Sequence, residues 1–249
     1  MQLHCFGTAG YHPNEGRHTS AYFLPESNIA LDAGSGFFRL EKHIQEDSID
    51  ILISHAHLDH VMGLTYLLDA SFKEKISKIR IWGEEEKVNA IQDHLFNPLL
   101  FPAPLDAEWN TIKSGDQWEI RGMQLTCKEQ EHPGGSLAYR IDWPDGRRLV
   151  YATDTTGDTS ETHAQWSRQA DLLIHECYFT DSESEWAEVT GHSWTSRVAQ
   201  VVKQSSPKKV LLTHLNPMQD GLPPSDLEAI RAQVASEVIV AEDHLCVSF

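Results

Sequence analysis

Residues 51–60 have the sequence Ile51-Leu52-Ile53-Ser54-His55-Ala56-His57-Leu58-Asp59-His60. The apolar run predicts a buried strand that ends at Ser54, and the spacing of apolar residues over Val61–Ala70 predicts a following helix. Imidazole and carboxylate groups bind zinc and similar metals. We therefore predict that His55 and His57 share one metal ion while Asp59 and His60 face a second. The alternative is a polar loop that caps the helix, and the density of ligand types disfavours it.

Bulk composition predicts a globular protein. The chain has 249 residues, 40% hydrophobic and 23% charged, with no internal repeat or Gly/Ser/Pro-rich linker. One domain spanning residues 1–249 is expected. The N-terminus lacks the basic segment of a secretory signal, and no apolar run approaches the roughly 18 residues of a membrane helix. We expect a soluble, cytoplasmic protein that does not engage a membrane, with four cysteines as free thiols.

The charge balance bears on possible partners. Twenty Lys and Arg against 37 Asp and Glu give a formal net charge of −17. Such a surface repels long polyanions, because nucleic-acid affinity depends mainly on Lys and Arg at phosphates. A local basic patch is still compatible with this count, and bound divalent metals would offset part of the acidic excess.

The order of predicted elements favours a sandwich of two sheets covered by helices, in the α/β (α+β) class. Strands are predicted at Gln2–Phe6, Ala21–Leu24, Ile29–Asp32, Ile49–Ser54, Lys78–Trp82, Asp171–His175, Lys208–Thr213 and Glu237–Ala241, with consecutive antiparallel strands over 119–152. Helices are predicted at Val61–Ala70, Glu84–Leu95, Trp194–Gln204 and Ser225–Ala235. Ser225 and Glu228 have the spacing of a capping box. The residues Trp143-Pro144-Asp145-Gly146-Arg147 predict a tight hairpin.

The H-x-H-x-D-H pattern of residues 55–60 resembles that of the metallo-β-lactamase superfamily, whose fold is a four-layer αββα sandwich with metals at one edge of the sheets. Further elements match in order: His132 in Glu-His-Pro-Gly-Gly-Ser, Asp154 in Tyr-Ala-Thr-Asp-Thr and His214 in Leu-Thr-His-Leu-Asn-Pro. The resemblance extends from Phe6-Gly7-Thr8 and Leu31-Asp32-Ala33-Gly34 to His214. It implies a hydrolase built around two metal ions.

The resemblance also implies a ligand set. One metal is expected on His55, His57 and His132, the other on Asp59, His60 and His214, with Asp154 between them. We expect two divalent ions, with zinc the leading candidate and manganese the second. Two cations that share a water lower its pKa and stabilise charge on the attacked group. Ser54 and Thr153 are candidates for orienting the ligands.

Two further motifs point to a branch of the superfamily. Ile174-His175-Glu176-Cys177 and Gly191-His192-Ser193 resemble elements of ribonuclease Z and its phosphodiesterase relatives. That resemblance implies that Glu176 orients His192, which protonates the leaving oxygen, so His192 and Glu176 join Asp59 as catalytic residues. True β-lactamases typically place a cysteine at the position of Asp154, and thioesterases of the superfamily lack the Glu-His pair.

The choice of substrate depends on what connects two strands. Bacterial ribonuclease Z enzymes usually insert a basic, Gly/Pro-rich arm for tRNA between the counterparts of Leu137–Trp143 and Arg148–Thr153, where this chain has the short Pro144-Asp145-Gly146 connection. Ala138 also replaces a common glycine. We expect a phosphodiesterase acting on a small or cyclic nucleotide-like substrate. A tRNA 3′-endonuclease is the first alternative, followed by a thioesterase- or lactamase-like hydrolase and a catalytically silent metal-binding relative. A homodimer, with Pro98–Leu105 as candidate contact, is also expected.

Overall fold

A computed structural model describes residues 1–73, 75–219 and 221–249. The strands of these residues are β1 (Gln2–Gly7), β2 (Ala21–Leu24), β3 (Ile29–Ala33), β4 (Ser48–Leu52), β5 (Lys78–Gly83), β6 (Glu108–Thr111), β7 (Gln117–Ile120), β8 (Met123–Gln130), β9 (Ser136–Asp142), β10 (Arg148–Ala152), β11 (Leu172–Glu176), β12 (Lys209–Thr213), β13 (Glu237–Val240) and β14 (Cys246–Ser248). Their α-helices are α1 (Leu58–Val61), α2 (Leu67–Phe72), α3 (Glu85–Ala90), α4 (Glu161–Trp166), α5 (Ser184–Thr190), α6 (Thr195–Ser205) and α7 (Pro224–Arg231). Segments Ser35–Lys42, Met62–Tyr66 and Asp181–Glu183 are 3₁₀-helical, and Ile91–Leu95 is a π-helix.

The chain divides into two compact units. Unit 1 comprises Met1–Lys113 and Glu242–Ser248, and unit 2 comprises Ser114–Ala241 with Phe249. Each unit contains one seven-stranded sheet, in the order β14-β1-β2-β3-β4-β5-β6 in unit 1 and β13-β12-β11-β10-β9-β8-β7 in unit 2. Whether both units act as one domain stays a prediction.

The sheet of unit 1 is mixed. Strands β14, β1, β2 and β3 pair antiparallel, whereas β3 to β6 pair parallel. Its core contains Ile49, Ile51 and Ile81 from the parallel strands. Because parallel strands end at the same edge of a sheet, the end of β3 at Asp32 lies next to the residues that follow β4.

The sheet of unit 2 is also mixed. Strands β7 to β10 form an antiparallel meander, and β10 to β13 pair parallel. In the parallel register Ala152 pairs with His175, and His175 with Leu212. The carboxyl ends of these three strands therefore form a common edge, where polar residues follow each strand.

The connection between β9 and β10 is a tight hairpin, as the sequence predicts. Asp142 pairs with Arg148, and the Trp143 amide donates to the Arg147 carbonyl at 2.9 Å. Gly146 has a φ of 88°, a left-handed conformation that favours glycine. Asp145 is not among the residues of positive φ, so the turn needs a left-handed backbone at the glycine alone.

Two local predictions are wrong. The capping box at Ser225 does not form, because α7 already begins at Pro224, whose missing N–H costs nothing at a first helical position. The single helix predicted for Val61–Ala70 is divided between α1, the 3₁₀ turn Met62–Tyr66 and α2. Within that turn Gly63 approaches the backbone of Ala33 and Gly34 so closely that a Cβ atom would lie 2.3 Å from the Gly34 carbonyl oxygen.

Two other sequence features can be compared with the described residues. No helix in this part of the chain combines the length and apolar character needed to cross a membrane. Cys5, Cys127 and Cys177 are buried thiols and Cys246 is an exposed thiol, and no disulfide joins any of the described residues. Burial raises the pKa values of Cys5 and Cys177 well above the ordinary thiol value, which keeps both uncharged.

Candidate metal centre

In unit 1 the turn between β4 and α1 gathers four potential ligands. The rings of His55 and His57 have centroids 4.4 Å apart, and Nε2 of His60 lies 3.2 Å from Oδ2 of Asp59. His55, Asp59 and His60 are buried, whereas His57 is exposed. Ring nitrogens of His55 and His57 approach within 4.8 Å, as do donor atoms of Asp59 and His60. The turn thus presents the predicted pairs of donors.

Asp32 orients this turn, a role that sequence analysis did not assign. Its buried carboxylate accepts hydrogen bonds from the amide and the hydroxyl of Ser54, both at 2.7 Å, and lies 2.7 Å from Nδ1 of His60. A carboxylate on Nδ1 fixes the tautomer that leaves Nε2 of His60 available as a ligand. The signal was the Leu31-Asp32-Ala33-Gly34 motif at a strand end, which does not reveal its partner.

In unit 2 Asp154 lies between two histidines. Its Oδ2 is 3.8 Å from Nε2 of His132, and its Oδ1 is 3.3 Å from Nε2 of His214. Each oxygen therefore faces a different imidazole, the arrangement required of a carboxylate that serves two cations. Asp154 and His214 both have a φ of 50°, a left-handed conformation that is uncommon for residues other than glycine.

Neighbouring groups hold the candidate ligands of unit 2 in place. The Thr153 hydroxyl donates to Oδ1 of Asp154 at 2.7 Å, and Nδ1 of His132 lies 2.9 Å from the Gly191 carbonyl oxygen. A Cβ atom on Gly191 would lie 2.2 Å from Cδ of Pro133, so this close approach requires glycine. Burial lowers the pKa of His132 despite nearby Asp154, which favours the neutral imidazole that metals accept.

Glu176 and His192 form a pair in unit 2. Nδ1 of His192 lies 3.2 Å from both carboxylate oxygens of Glu176, which is fully buried. The Thr155 amide donates to Oε1 at 2.5 Å and the Ser193 amide to Oε2 at 3.2 Å, so the carboxylate is fixed from two further directions. The His192 ring stacks on His214, with centroids 5.4 Å apart. The structure thus brings the second pair of motifs together beside a candidate ligand.

The donor chemistry fits divalent transition metals. Each unit offers imidazole nitrogens and carboxylate oxygens in close groups. Asp32, Ser54 and Thr153 lie within hydrogen-bond distance of candidate ligands and can orient them. Clusters able to bind a metal are therefore present where the sequence places them, in a fold with two mixed sheets and helices. These features define the class of metal-dependent hydrolases with an α/β sandwich.

The chain belongs to the metallo-β-lactamase superfamily: the model of the beta-lactamase superfamily domain matches residues 27–215. Ribonuclease Z of Methanosarcina acetivorans is 26% identical over 302 residues, an alignment that covers 98% of this chain and 96% of that protein. The predicted fold and the resemblance to the ribonuclease Z branch are confirmed.

Solved structures support the fold assignment. The metallo-β-lactamase fold protein YhfI from Bacillus subtilis has a TM-score of 0.82 at 19% identity, with 99% of each chain covered. A diphosphatase of the PhnP family has a TM-score of 0.75 at 17% identity, covering 100% of this chain and 96% of that chain. At these identities the similarity establishes the fold alone.

Proposed function

We propose that this chain is a binuclear metal-dependent phosphodiesterase that acts on a small or cyclic nucleotide-like substrate. The observation that carries the proposal is the His192–Glu176 pair, since a phosphodiester needs a proton on its leaving oxygen and this pair provides a positioned donor. We propose that the two units act as a single hydrolase domain, because each one alone offers only part of the ligand set.

The proposed ligands are those implied by the sequence. His55, His57 and His132 would hold one ion, and Asp59, His60 and His214 the other, with Asp154 serving both. The two oxygens of Asp154 that face His132 and His214 support the shared role. Two divalent ions, zinc before manganese, would supply an activated water and charge stabilisation on the phosphate when bound.

His192 would act as the proton donor. Glu176 lies on Nδ1, so it favours protonation there and, by its charge, stabilises the imidazolium form that can give up a proton from Nε2. Burial of Glu176 and its bonds from Thr155 and Ser193 hold the carboxylate in place while His192 remains partly accessible. General acid help of this kind is typically worth ~10²–10⁴ in rate.

The substrate is proposed to be small because of the β9–β10 connection. It closes as a tight hairpin at Trp143–Arg147, with no room in that connection for an arm. The alignment with ribonuclease Z of Methanosarcina acetivorans spans 302 residues against 249 in this chain, so the relative contains segments that this chain lacks. The net charge of −17 adds to the case against a large polyanion.

A tRNA 3′-endonuclease is the second candidate. The specific observation in its favour is the name shared by the curated relatives, ribonuclease Z, over nearly the whole chain. The two candidates differ in the size of substrate that the protein must hold, and one preparation can be assayed for both.

The test is a panel assay on protein reconstituted with zinc or with manganese. We expect about two metal equivalents per chain by elemental analysis and turnover of bis-(p-nitrophenyl) phosphate and of a cyclic nucleotide. A pre-tRNA, a chromogenic cephalosporin and a glutathione thioester complete the panel. Cleavage of the pre-tRNA alone would support the second candidate, and absence of metal uptake would overturn both.

A homodimer and a cytoplasmic location complete the proposal. Leu99 and Leu100 in the Pro98–Leu105 segment are 95% and 75% exposed, an apolar surface that a second copy would cover. A monomeric mass in light scattering at micromolar concentration would exclude the dimer.

A further inference from the structure

One surface loop of unit 1 is bonded directly to a proposed metal ligand. The loop Thr8–His18, here called the Tyr11 loop, connects β1 to the segment before β2. The backbone amide of Tyr11 donates a hydrogen bond to Oδ2 of Asp59 at 2.8 Å. The backbone at Tyr11 is therefore tied to the turn that presents Asp59 and His60.

Hydrogen bonds at its base hold the Tyr11 loop in one conformation. The amides of Thr8 and Ala9 both donate to the His18 carbonyl oxygen, at 2.8 Å and 2.9 Å. Asp243 accepts from the Thr8 hydroxyl and the His18 amide, each at 2.9 Å, and pairs with Arg39 at 2.7 Å. An exposed loop with this many bonds is ordered before any ligand binds, which lowers the entropic cost of binding.

Tyr11 combines an unfavourable backbone conformation with an exposed aromatic side chain. Its φ is 60°, a left-handed conformation that costs a non-glycine residue free energy, and its side chain is 71% exposed. The backbone strain at Tyr11 is therefore not offset by burial of its ring. The ring of His12, which is also exposed, lies beside it, with centroids 5.0 Å apart and an edge-on geometry.

Leu58 is a second exposed apolar residue, and it lies on the turn to which the Tyr11 loop is bonded. It stands between His57 and Asp59 in the chain and is 69% exposed. An apolar side chain exposed between two proposed ligands is available to contact the organic part of a substrate whose phosphate is bound by metals. The rings of Tyr11 and His12, together with the Leu58 side chain, suit a flat, largely apolar group.

We propose that the Tyr11 loop is a binding subsite for a planar aromatic group attached to the phosphate, of which a nucleobase is the biological example. This inference rests on the proposed phosphodiesterase function and specifies its substrate class. Tyr11 stacks on the ring, while its amide holds Asp59 in place. Stacking of a base on an aromatic side chain does not depend on base identity, so the subsite selects aromatic over aliphatic esters.

The test measures equilibrium binding by calorimetry to zinc-loaded protein, with adenosine 5′-monophosphate and methyl phosphate as ligands. Both ligands offer a phosphate, and only the first carries a flat ring. We expect Tyr11→Ala to weaken binding of the nucleotide about tenfold, as loss of one stacking contact would. Binding of methyl phosphate and the zinc content should stay as in the wild type. Tyr11→Phe should retain nucleotide affinity. Phe72→Ala, which removes another exposed aromatic ring of unit 1, should leave the affinity for both ligands unchanged.

Each other outcome counts against the inference in a distinct way. Wild-type affinity of Tyr11→Ala for the nucleotide overturns the subsite while leaving the phosphodiesterase intact. Equal weakening for both ligands, or loss of zinc, assigns Tyr11 to the support of Asp59 and overturns the stacking role. A zinc-loaded wild type that binds neither phosphate overturns the proposed function and this inference with it.

Discussion

The two units arrange their candidate metal ligands in opposite ways. Unit 1 places His55, His57, Asp59 and His60 on one short turn, where chain connectivity already keeps them close. Unit 2 takes His132, Asp154 and His214 from the ends of separate strands and brings them together only by sheet pairing. A local cluster can be identified from spacing, whereas a dispersed one depends on the register of the whole sheet.

This difference predicts that the candidate ligands of unit 2 are more sensitive to a single substitution than those of unit 1. Asp154→Ala should cause the largest loss, because both oxygens of this carboxylate face candidate ligands and no neighbour in the chain can replace it. We expect bound metal to fall from about two equivalents to one or fewer, and kcat to drop at least ~10³-fold, as losing several kcal/mol of charge stabilisation would require. Elemental analysis and steady-state kinetics measure both.

Asp145→Ala is the matched control, since Asp145 is an exposed carboxylate on the hairpin of the same unit and pairs with Arg147. It should retain metal and rate. Full metal occupancy in Asp154→Ala would contradict the bridging role.

The next largest effect concerns His192, the proposed proton donor, which lies in unit 2. His192→Ala should lower turnover of an alkyl phosphodiester by ~10²–10⁴, because an alkoxide leaves poorly without a proton. Turnover of bis-(p-nitrophenyl) phosphate should fall much less, since p-nitrophenolate leaves without help. The ratio of the two kcat values measures the role, and His94→Ala, at an exposed histidine of unit 1, controls for a general effect. Equal losses for both substrates would remove the proton donor from the mechanism.

The sequence predicted the fold because its elements alternate with clear periodicity. The strands β1 to β5 and β11 to β13 lie within a residue or two of their predicted bounds, since apolar runs between turn formers are a local property. Short strands with exposed or mixed residues, such as β6 and β14, were missed. Their pairing comes from neighbours distant in the chain, which no local pattern records.

The candidate site, like the fold, was predictable from the sequence where its signals are local. Spacing alone pointed to the turn of unit 1, while His132, Asp154 and His214 were identified only through the family resemblance. Asp32 had no assigned role, because its bonds to Ser54 and His60 join two strands that are paired in space. Contacts of this kind depend on register and cannot be read from one segment.

A smaller effect is expected from the residues that bond to candidate ligands, Asp32 in unit 1 and Thr153 in unit 2. Asp32→Asn should lower metal affinity about 10–100-fold, as is typical when the partner of a ligating histidine is lost. Thr153→Val removes one neutral donor from Asp154 and should cost less, because hydroxyl bonds are weaker than a carboxylate on imidazole. Competition with a chromophoric chelator measures both affinities. Equal losses would mean that Asp32 supports the turn no more strongly than Thr153 supports Asp154.

The smallest predicted effect concerns His163, a buried histidine outside the candidate site, which we compare with His60. His163 on α4 is as buried as His60, yet neither of its ring nitrogens has a hydrogen-bond partner in the described part of the chain. The carboxylate of Asp158 lies 3.7 Å from Nδ1 of His163, against 2.7 Å between Asp32 and His60. Burial lowers the pKa of His163 to about 4 although Asp158 opposes the shift, and Lys128 and His175 add to it.

The sign of this shift fixes its effect on stability. The folded state keeps His163 neutral, while the unfolded chain binds a proton below the ordinary pKa of 6.5, so stability falls as pH drops from 6.5 toward 4. Between pH 7 and pH 5 the loss should be about 2 kcal/mol from this residue. In urea unfolding, His163→Leu should reduce the pH dependence by that amount, and His94→Leu should not. Since other groups titrate alike in both proteins, an unchanged pH dependence in His163→Leu would contradict the lowered pKa of His163.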